Sequence, residues 1–213
     1  MLRDLSNKKS NYTLSSLSKK EVDKDPVKQF VSWLDIAINE QVEEPNAMVL
    51  STVGSDLKPS SRVVLLKGVG NEGFVFYTNY LSRKGNELAY NNNASLVFFW
   101  PELERQVRVE GVVKKLKPEL SDEYFNKRHQ DSKIGAIISP QSQIIPNRDF
   151  LMEKKRKLEE EVTENDLKRP NYWGGYILSP NLFEFWQGRP NRLNDRIQYS
   201  LEDNNWKIVR LAP

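Results

Sequence analysis

The sequence predicts a mainly β protein with peripheral α-helices, built as an antiparallel barrel. Five segments rich in valine, phenylalanine and leucine lie between residues 47 and 116, and only one short helix, at 83–91, interrupts them. Strands this dense, with so little helix between them, favour an antiparallel barrel over a doubly wound sheet. At 213 residues and 38% hydrophobic content, the chain can bury one substantial core.

The first predicted element is a helix that begins at Pro26. Asp25 is a suitable N-cap, proline is favoured at the first helical position, and apolar residues from Val27 to Ile38 fall on one face. The predicted strands of the first half follow at 47–53, 61–68, 73–79, 95–100 and 105–116. The second half is predicted to contain helices at 118–128 and 147–162, a short apolar segment at 132–139, and strands at 172–179, 182–188, 196–203 and 206–213.

Residues 1–24 are polar and turn-rich, which predicts a mobile N-terminal arm in front of a single domain over 25–213. This arm has no apolar core typical of a signal peptide, although its basic, serine-rich character leaves a transit peptide open. We expect a cytoplasmic protein with no transmembrane segment and no membrane partner. The net charge of +3, from 32 basic and 29 acidic residues, argues against a nucleic-acid partner.

The chain contains no cysteine and a single histidine, His129. Disulfides, thiolate catalysis and cysteine-ligated metals are therefore excluded, and histidine-based metal sites and triads are disfavoured. We expect no metal. Any difficult chemistry has to come from a bound cofactor.

A glycine pattern at 68–73, GVGNEG, matches the dinucleotide-binding GxGxxG motif and follows a strand. The motif also requires a helix after it, whereas the next residues, 74–78, are strand-like. We therefore interpret these glycines as a hairpin turn and not as a dinucleotide site.

The run FEFWQGRPNRLNDRIQY at 183–199 mixes large aromatic residues with charges inside a predicted strand. Arg189, Arg192 and Arg196 need anionic or planar partners, since an unpaired buried charge costs several kcal/mol. Two interpretations remain open from this segment: the rim of a pocket for a phosphorylated or aromatic ligand, or a salt-bridge network between subunits.

Two further groups of residues suit phosphate. Tyr124, Arg128 and Ser132 are four residues apart, so on a helix they would face one point, although a surface helix with an incidental arginine fits the same pattern. Ser82 can cap a helix whose free N–H groups, with Arg83 and Lys84 beside them, attract an anion.

Several long motifs, in order, closely resemble those of pyridoxamine/pyridoxine 5′-phosphate oxidases, and the resemblance covers about residues 25–213. They are SRVVLLK (61–67), FYTN (76–79), SRKGNEL (82–88), FFWPELERQVRVEG (98–111), YFNKR (124–128), DSKIGA (131–136), SPQS (139–142), YWGG (172–175) and the segment 183–213. The resemblance implies an antiparallel, Greek-key-like split β-barrel that binds FMN. It further implies a homodimer, with a C-terminal dimerisation and active-site region at about 170–213. The implied reaction converts pyridoxamine 5′-phosphate or pyridoxine 5′-phosphate to pyridoxal 5′-phosphate, with O₂ reduced to H₂O₂.

The resemblance also assigns roles to individual residues. FMN contacts fall to Arg62, Val63, Val64, Leu65, Leu66, Lys67, Tyr77, Thr78, Ser82, Arg83, Lys84 and Gln106, and from the partner subunit to Gln141, Ser142, Trp186 and Arg196. The substrate phosphate falls to Lys67, Tyr124, Arg128 and Ser132. Arg192 and Asn194 would lie over the pyridine ring as the catalytic residues.

The chain departs from the family pattern at three places. At 192–196 the chain has RLNDR where the family usually has RLHDR, so Asn194 replaces a histidine. The asparagine amide is uncharged and cannot act as an acid or base near neutral pH. In the N-terminal arm the family has paired arginines before a tyrosine, whereas this chain has KSNY at 9–12. His129 stands where the family usually has a proline, and we expect it to be structural. Two alternatives to the oxidase remain: a split-barrel flavoprotein of other specificity, or a non-catalytic protein that binds FMN or pyridoxal phosphate.

Overall fold

A computed structural model describes residues 3–4, 11–162 and 166–213. Within these residues the chain forms nine strands and five α-helices, so the predicted mainly β class is confirmed. The helices are α1 (Pro26–Asn39), α2 (Arg83–Tyr90), α3 (Pro118–Asn126), α4 (Gln130–Ile138) and α5 (Asp149–Glu161). The strands are β1 (Ala47–Val53), β2 (Pro59–Leu65), β3 (Gly68–Gly70), β4 (Gly73–Asn79), β5 (Asn93–Trp100), β6 (Arg105–Lys115), β7 (Trp173–Gln187), β8 (Asp195–Glu202) and β9 (Asn205–Leu211).

All nine strands belong to one hydrogen-bonded sheet with the order β2-β1-β5-β6-β7-β4-β3, and β8 and β9 extend it from β7. The pairs β3–β4, β4–β7, β7–β8 and β8–β9 are antiparallel. No described helix is long and apolar enough to cross a membrane.

By its internal contacts the chain divides into two compact units. Unit 1 comprises the described residues up to Met48 together with Leu96–Glu110 and Pro180–Pro213, and unit 2 comprises Val49–Ser95 and Gly111–Ser179. The strands β1, β5, β6 and β7 each contribute residues to both. The single domain over 25–213 stays a prediction.

Strand β7 corrects the expectation of two separate strands at 172–179 and 182–188. It runs unbroken for 15 residues and changes partner on the way: Trp173 to Leu178 pair with β4, and Leu182 to Gln187 pair with β8. Pro180 lies between the residues that pair with β4 and those that pair with β8, so its missing N–H interrupts neither of these two sets of hydrogen bonds. The Ser-Pro-Asn sequence therefore marks a change of partner and not the end of a strand.

In unit 1 the predicted N-terminal helix is confirmed. The Asp25 side chain accepts a hydrogen bond from the backbone N–H of Val27 at 2.8 Å, and Pro26 occupies the first turn. The buried face of α1 packs on aromatic side chains: the Phe30 ring lies 4.7 Å from that of Phe98, and Trp33 meets Phe185 edge-on at 5.3 Å. Burial of these rings anchors the helix on the sheet.

In unit 2 the glycine pattern at 68–73 forms a hairpin turn, as predicted. Gly70 pairs with Gly73 across the two-residue turn Asn71-Glu72. Gly73 has φ +135°, and a Cβ there would lie 2.0 Å from the carbonyl oxygen of Leu178, so no other residue fits. The dinucleotide-binding interpretation is thereby excluded at this site.

The region from 118 to 139 differs from prediction. Helix α3 ends at Asn126, two residues before the predicted end, and the apolar segment at 132–139 is part of a second helix, α4. His129, with extended backbone angles of φ −59° and ψ 147°, separates the two helices. Tyr124 and Ser132 therefore lie on different helices, and the prediction that they share one helix face was wrong.

Candidate functional site

The first candidate cluster surrounds the N-terminus of α2 in unit 2. The Ser82 hydroxyl donates to the carbonyl oxygen of Asn79 at 2.6 Å and accepts from the N–H of Gly85 at 3.3 Å, so the predicted cap is confirmed. A Cβ at Gly85 would lie 2.1 Å from the carbonyl oxygen of Tyr80, which makes glycine obligatory in this tight turn. The arrangement fixes where the free N–H groups of the first helical turn point.

Lys84 is buried beside this cap. Its ammonium donates to the side-chain oxygens of Gln141 at 2.7 Å, Thr78 at 3.2 Å and Ser82 at 3.3 Å, all of which are uncharged. Burial, followed by the positive charge of Arg62, lowers the Lys84 pKa to about 8. An anion bound at the ammonium would supply the missing counter-charge.

A buried carboxylate, Glu87, orients the two arginines of this cluster. One of its oxygens accepts from Thr52 at 2.5 Å, Ser60 at 2.6 Å and Arg62 at 3.2 Å, and the other accepts from Arg83 at 2.8 Å. Burial alone would raise the Glu87 pKa, but the hydrogen bonds from Ser60, Thr52 and Arg83 and the charge of Arg62 lower it to about 2. Glu87 is therefore ionised and holds both guanidinium groups in place.

Sequence reasoning missed Glu87, Thr52 and Ser60. The spacing of four residues between Arg83 and Glu87 on a helix could have indicated their ion pair. The contacts from Thr52 and Ser60 depend on the pairing of β1 with β2, which the sequence does not specify.

A cleft of about 550 Å³ opens beside the α2 cluster. Arg83, Glu87, Tyr90, Gln141 and Ser142 contribute to its walls. The resemblance placed Gln141 and Ser142 in the partner subunit, but here Gln141 contacts Lys84 and Thr78 of its own chain.

The predicted cofactor segment 62–67 lies on β2 and the two residues after it. Arg62 also donates to the carbonyl oxygen of Leu50 at 3.1 Å, which ties β2 to β1. Val63 is exposed, Val64 and Leu65 are half-buried, and Leu66 is buried. The Lys67 backbone N–H donates to the carbonyl oxygen of Val75 at 2.8 Å, whereas its side chain is exposed.

The second candidate cluster in unit 2 is a stack of aromatic rings with an arginine on its end. The rings of Tyr77 and Tyr124 are stacked at 3.8 Å, and the guanidinium carbon of Arg128 lies 4.5 Å from the centre of the Trp173 ring. Burial raises the pKa of both phenols, so both are protonated at neutral pH. Nη1 of Arg128 is buried and has no hydrogen-bond partner among the described residues.

The structure brings together only part of the predicted substrate set. Tyr124 and Arg128 both lie against Trp173, which sequence reasoning did not assign to the site. Ser132, in the first turn of α4, and Lys67 have exposed side chains without a hydrogen-bond partner in the described part of the chain. Their share in a phosphate site stays a prediction. His129 is exposed at the start of α4.

In unit 1 the arginine-rich segment forms ion pairs within a single chain. Arg196 donates to Glu184 at 2.9 Å, and Arg108 donates to the other Glu184 oxygen at 2.6 Å. Burial would raise the Glu184 pKa, but the hydrogen bonds from Arg196 and Arg108 outweigh it and lower the pKa. Arg189 pairs with Asp195 at 3.5 Å. Arg192, by contrast, is exposed and has no ion pair among the described residues.

The segment that carries Arg192 turns sharply. Asn191 and Arg192 both have left-handed backbone angles, with φ 58° and 62°. The Asn194 side-chain oxygen accepts from the backbone N–H of Arg189 at 3.0 Å and so closes the turn. The Asn194 NH₂ group, which can only donate, has no hydrogen-bond partner among the described residues.

The end of the N-terminal arm lies on the same segment of unit 1. The Tyr12 ring meets the predicted cofactor residue Trp186 edge-on at 5.6 Å. The backbone N–H of Leu17 donates to Asp195 at 3.0 Å, and Arg210 donates to the Leu17 carbonyl oxygen at 2.8 Å. Lys9 and Ser10 lie outside the described residues, and the predicted mobility of the arm stays a prediction.

The remaining predicted cofactor residue of unit 1, Gln106, is half-buried on β6. Next to it, Arg105 donates to Gln187 at 2.9 Å and covers the Trp33 ring at 4.4 Å. Arg105 Nη1 and Arg128 Nη1 are the two buried side-chain nitrogens without a partner among the described residues.

The fold and the site together define a β-sheet protein with two candidate anion sites. One lies at the capped N-terminus of α2, and the other lies at Arg128, whose buried Nη1 has no hydrogen-bond partner among the described residues. Two family models match the chain: pyridoxamine 5′-phosphate oxidase over residues 34–157, and the pyridoxine 5′-phosphate oxidase C-terminal dimerisation region over 173–213. The chain belongs to the pyridoxamine 5′-phosphate oxidase family.

Individual relatives agree with the family assignment. The pyridoxine/pyridoxamine 5′-phosphate oxidase of a Cyanothece species is 49% identical over 213 residues, which is 100% of both chains. Among solved structures, PhzG from Burkholderia lata in complex with tetrahydrophenazine-1-carboxylic acid is 30% identical, with a TM-score of 0.87 over 94% of this chain and 99% of that one. A pyridoxamine 5′-phosphate oxidase-related, FMN binding protein from Nostoc punctiforme is 14% identical, with a TM-score of 0.71 over 90% and 100%. The predicted split-barrel fold is thereby confirmed.

Proposed function

We propose that this chain is an FMN-dependent oxidase that forms pyridoxal 5′-phosphate in vitamin B6 metabolism. Pyridoxine 5′-phosphate and O₂ give pyridoxal 5′-phosphate and H₂O₂, whereas pyridoxamine 5′-phosphate also consumes water and releases ammonia. The observation that carries the proposal is the pair of cationic clusters in unit 2, because the reaction needs two phosphate sites, one for FMN and one for the substrate. Lys84 has only uncharged oxygen partners among its hydrogen bonds, and Arg128 Nη1 has none in the described residues.

The α2 cluster fits the FMN phosphate. Arg62, Arg83 and Lys84 supply three positive charges, and the Ser82 cap presents the N–H groups of a helix N-terminus. Glu87 offsets part of this charge but engages Arg62 and Arg83, so within the described part of the chain Lys84 has no hydrogen bond to a charged group. Among the other residues that we assign to FMN, Thr78 and Gln141 contact Lys84 directly.

The second cluster fits the substrate phosphate. Arg128 offers a buried N–H donor, and the protonated Tyr124 phenol offers another beside it. We assign Lys67 and Ser132 to the same phosphate, because their exposed side chains are free to turn toward a ligand. Arg192 and the Asn194 NH₂ group are assigned to the pyridine ring, since in the described chain Arg192 has no ion pair and the Asn194 NH₂ group has no hydrogen-bond partner.

When bound, FMN accepts the two electrons removed from the substrate and passes them to O₂. The side chains of this protein therefore need to bind and orient the substrate and do not need to form a covalent bond with it, which agrees with a chain that has no cysteine. Arg192 carries the positive charge that we assign to orienting the substrate ring and stabilising charge on it. The Asn194 NH₂ group donates a hydrogen bond but cannot exchange a proton near neutral pH.

The enzyme is a homodimer, in accordance with the match of residues 173–213 to a dimerisation region. We further propose a cytoplasmic location, which cell fractionation tests.

The deciding experiment is turnover by the purified, FMN-loaded protein. Pyridoxal 5′-phosphate is followed by its absorbance and H₂O₂ by a coupled assay, with pyridoxine 5′-phosphate, pyridoxamine 5′-phosphate and unphosphorylated pyridoxine as substrates. We expect equal amounts of aldehyde and peroxide from both phosphorylated substrates. FMN binding without turnover would favour the non-catalytic alternative. Turnover that does not depend on the substrate phosphate would favour a flavoprotein of other specificity.

A further inference from the structure

Trp173, the first residue of β7, lies at the centre of the second cluster but belongs to none of the sites assigned above. Its side chain is 6% exposed. One neighbour is Arg128, whose guanidinium carbon is 4.5 Å from the ring centre. Another is Tyr124, whose ring is parallel to the indole within 6° at 6.2 Å. A single indole thus lies beside both of the half-buried residues that we assign to the substrate phosphate.

Arg128 depends on this contact for its position. It lies in the turn after α3, where its backbone N–H donates to the carbonyl oxygen of Phe125 at 3.1 Å. An arginine side chain has many rotamers, and this one has no ion pair among the described residues to select one of them. The flat guanidinium stacks on an aromatic face and keeps its N–H donors in the plane, free for an anion.

Trp173 itself is held rigidly. It pairs with Asn79 in the β4–β7 ladder, and its backbone N–H donates to the carbonyl oxygen of Pro170 at 3.0 Å. Its carbonyl oxygen accepts from Arg169 at 2.7 Å, and Phe125 packs edge-on against its ring at 5.4 Å. The indole is therefore a fixed platform for Arg128, whose Nη1 has no hydrogen bond of its own among the described residues.

We propose that Trp173 is a positioning residue for recognition of the substrate phosphate. The indole supports the Arg128 guanidinium on its face, and together with Tyr77, which stacks on Tyr124 at 3.8 Å, it keeps the Tyr124 ring parallel to it. Both donors are thereby in place before the phosphate arrives. This inference rests on the proposed function, because it takes the ligand of Arg128 to be the substrate phosphate. Preorganised donors bind more tightly, because less side-chain freedom is lost on binding.

The test compares Trp173→Leu and Trp173→Phe with a matched control, Phe76→Leu. Phe76 is a fully buried aromatic residue of the same unit that packs on Tyr176 at 5.6 Å and is assigned to no site. Six quantities are measured on each FMN-loaded variant: KM and kcat for pyridoxine 5′-phosphate, kcat/KM for unphosphorylated pyridoxine, the Kd of pyridoxal 5′-phosphate, the FMN content and Tm.

For Trp173→Leu we expect KM and the Kd of pyridoxal 5′-phosphate to rise about 3- to 30-fold, the range of a partly to fully desolvated cation–π contact. We expect kcat, FMN content and the values for pyridoxine to stay unchanged. Trp173→Phe, which keeps an aromatic face, should recover most of the loss. Phe76→Leu should lower Tm, but it should not change the kinetic constants for the phosphorylated substrate more than those for the unphosphorylated one.

The proposal is overturned if Trp173→Leu lowers Tm but leaves KM and Kd unchanged, or if it weakens both substrates equally. If Trp173→Leu does not fold, Trp173→Met, which fills more of the space without an aromatic face, takes its place and is combined with Arg128→Ala. Effects of the two substitutions on Kd that multiply independently contradict the proposal, whereas a double-variant loss no larger than that of Arg128→Ala supports it. A wild-type protein without turnover would instead refute the proposed function. The Kd of pyridoxal 5′-phosphate still tests Trp173 in that case.

Discussion

Replacement of Arg128 by alanine tests the assignment of the two phosphate sites most directly. Arg128 has a buried Nη1 without a partner in the described chain, so its loss removes a donor that no internal group uses. A hydrogen bond between a charged donor and a phosphate contributes about 1.5–3 kcal/mol, which corresponds to a rise in KM of about 10- to 150-fold for pyridoxine 5′-phosphate. FMN content should stay unchanged, since the FMN phosphate is assigned to the α2 cluster.

Two companion variants sharpen this test. Arg128→Lys keeps the charge but loses the planar fork and the stacking on Trp173, so we expect a KM between those of wild type and Arg128→Ala. Lys127→Ala is the matched control: this neighbouring cation is exposed and pairs with Glu123 at 2.5 Å, so KM should not change. Steady-state kinetics with flavin absorbance provide both readouts. Loss of flavin with an unchanged KM in Arg128→Ala would show that the two phosphate sites had been exchanged.

Three further predictions follow from individual side chains. The Lys84 pKa of about 8 means that the ammonium loses its charge as the pH rises through that value. The Kd of FMN for the apoprotein should therefore increase above about pH 8 more steeply in wild type than in Lys84→Met. Parallel pH profiles of the two proteins in flavin fluorescence titrations would contradict the assignment. Glu87, whose pKa is lowered from 4.5 to about 2, stabilises the fold above its unfolded-state pKa, and this contribution is lost as the pH falls from about 4.5 to about 2. The free energy of unfolding, measured with urea, should therefore fall less over that window in Glu87→Gln than in wild type, and identical slopes would refute this role. Asn194→His should change kcat/KM by less than about tenfold, because a hydrogen bond from Asn194 already fulfils the role of the family histidine. A large gain in kcat together with a new ionisation near pH 6.5 would instead show that the histidine at this position carries a proton.

The sequence predicted those parts of the fold that depend on local signals. The N-cap at Asp25, the hairpin at Gly70 and Gly73, and the cap at Ser82 were all confirmed, because each is determined by one or two residues and the backbone they require. Long-range pairing was harder to predict. Pro180 looked like the end of a strand because the sequence does not show that β7 exchanges β4 for β8 at that residue.

The same division applies to the candidate site. The cations Arg83 and Lys84 could be predicted to lie together because they are neighbours at a helix N-terminus. Tyr124 and Arg128 were predicted to lie together from a spacing of four residues, but the helix ends between them, and it is the indole of Trp173 that contacts both. The sequence gives no local sign of this, since Trp173 reaches them from a strand about 45 residues further along.

In the arginine-rich segment the structure shows ion pairs within one chain, which neither of the two interpretations left open by the sequence had foreseen. Arg189 and Arg196 both have a carboxylate partner in their own chain, so neither requires a ligand to offset its charge. Arg192 has no such partner in the described residues and lies in a left-handed turn that the Asn194 side chain closes. A residue held in a strained conformation with its charge directed to no internal partner is suited to meet a ligand. Among the three arginines, Arg192 is therefore the one that we assign to the substrate.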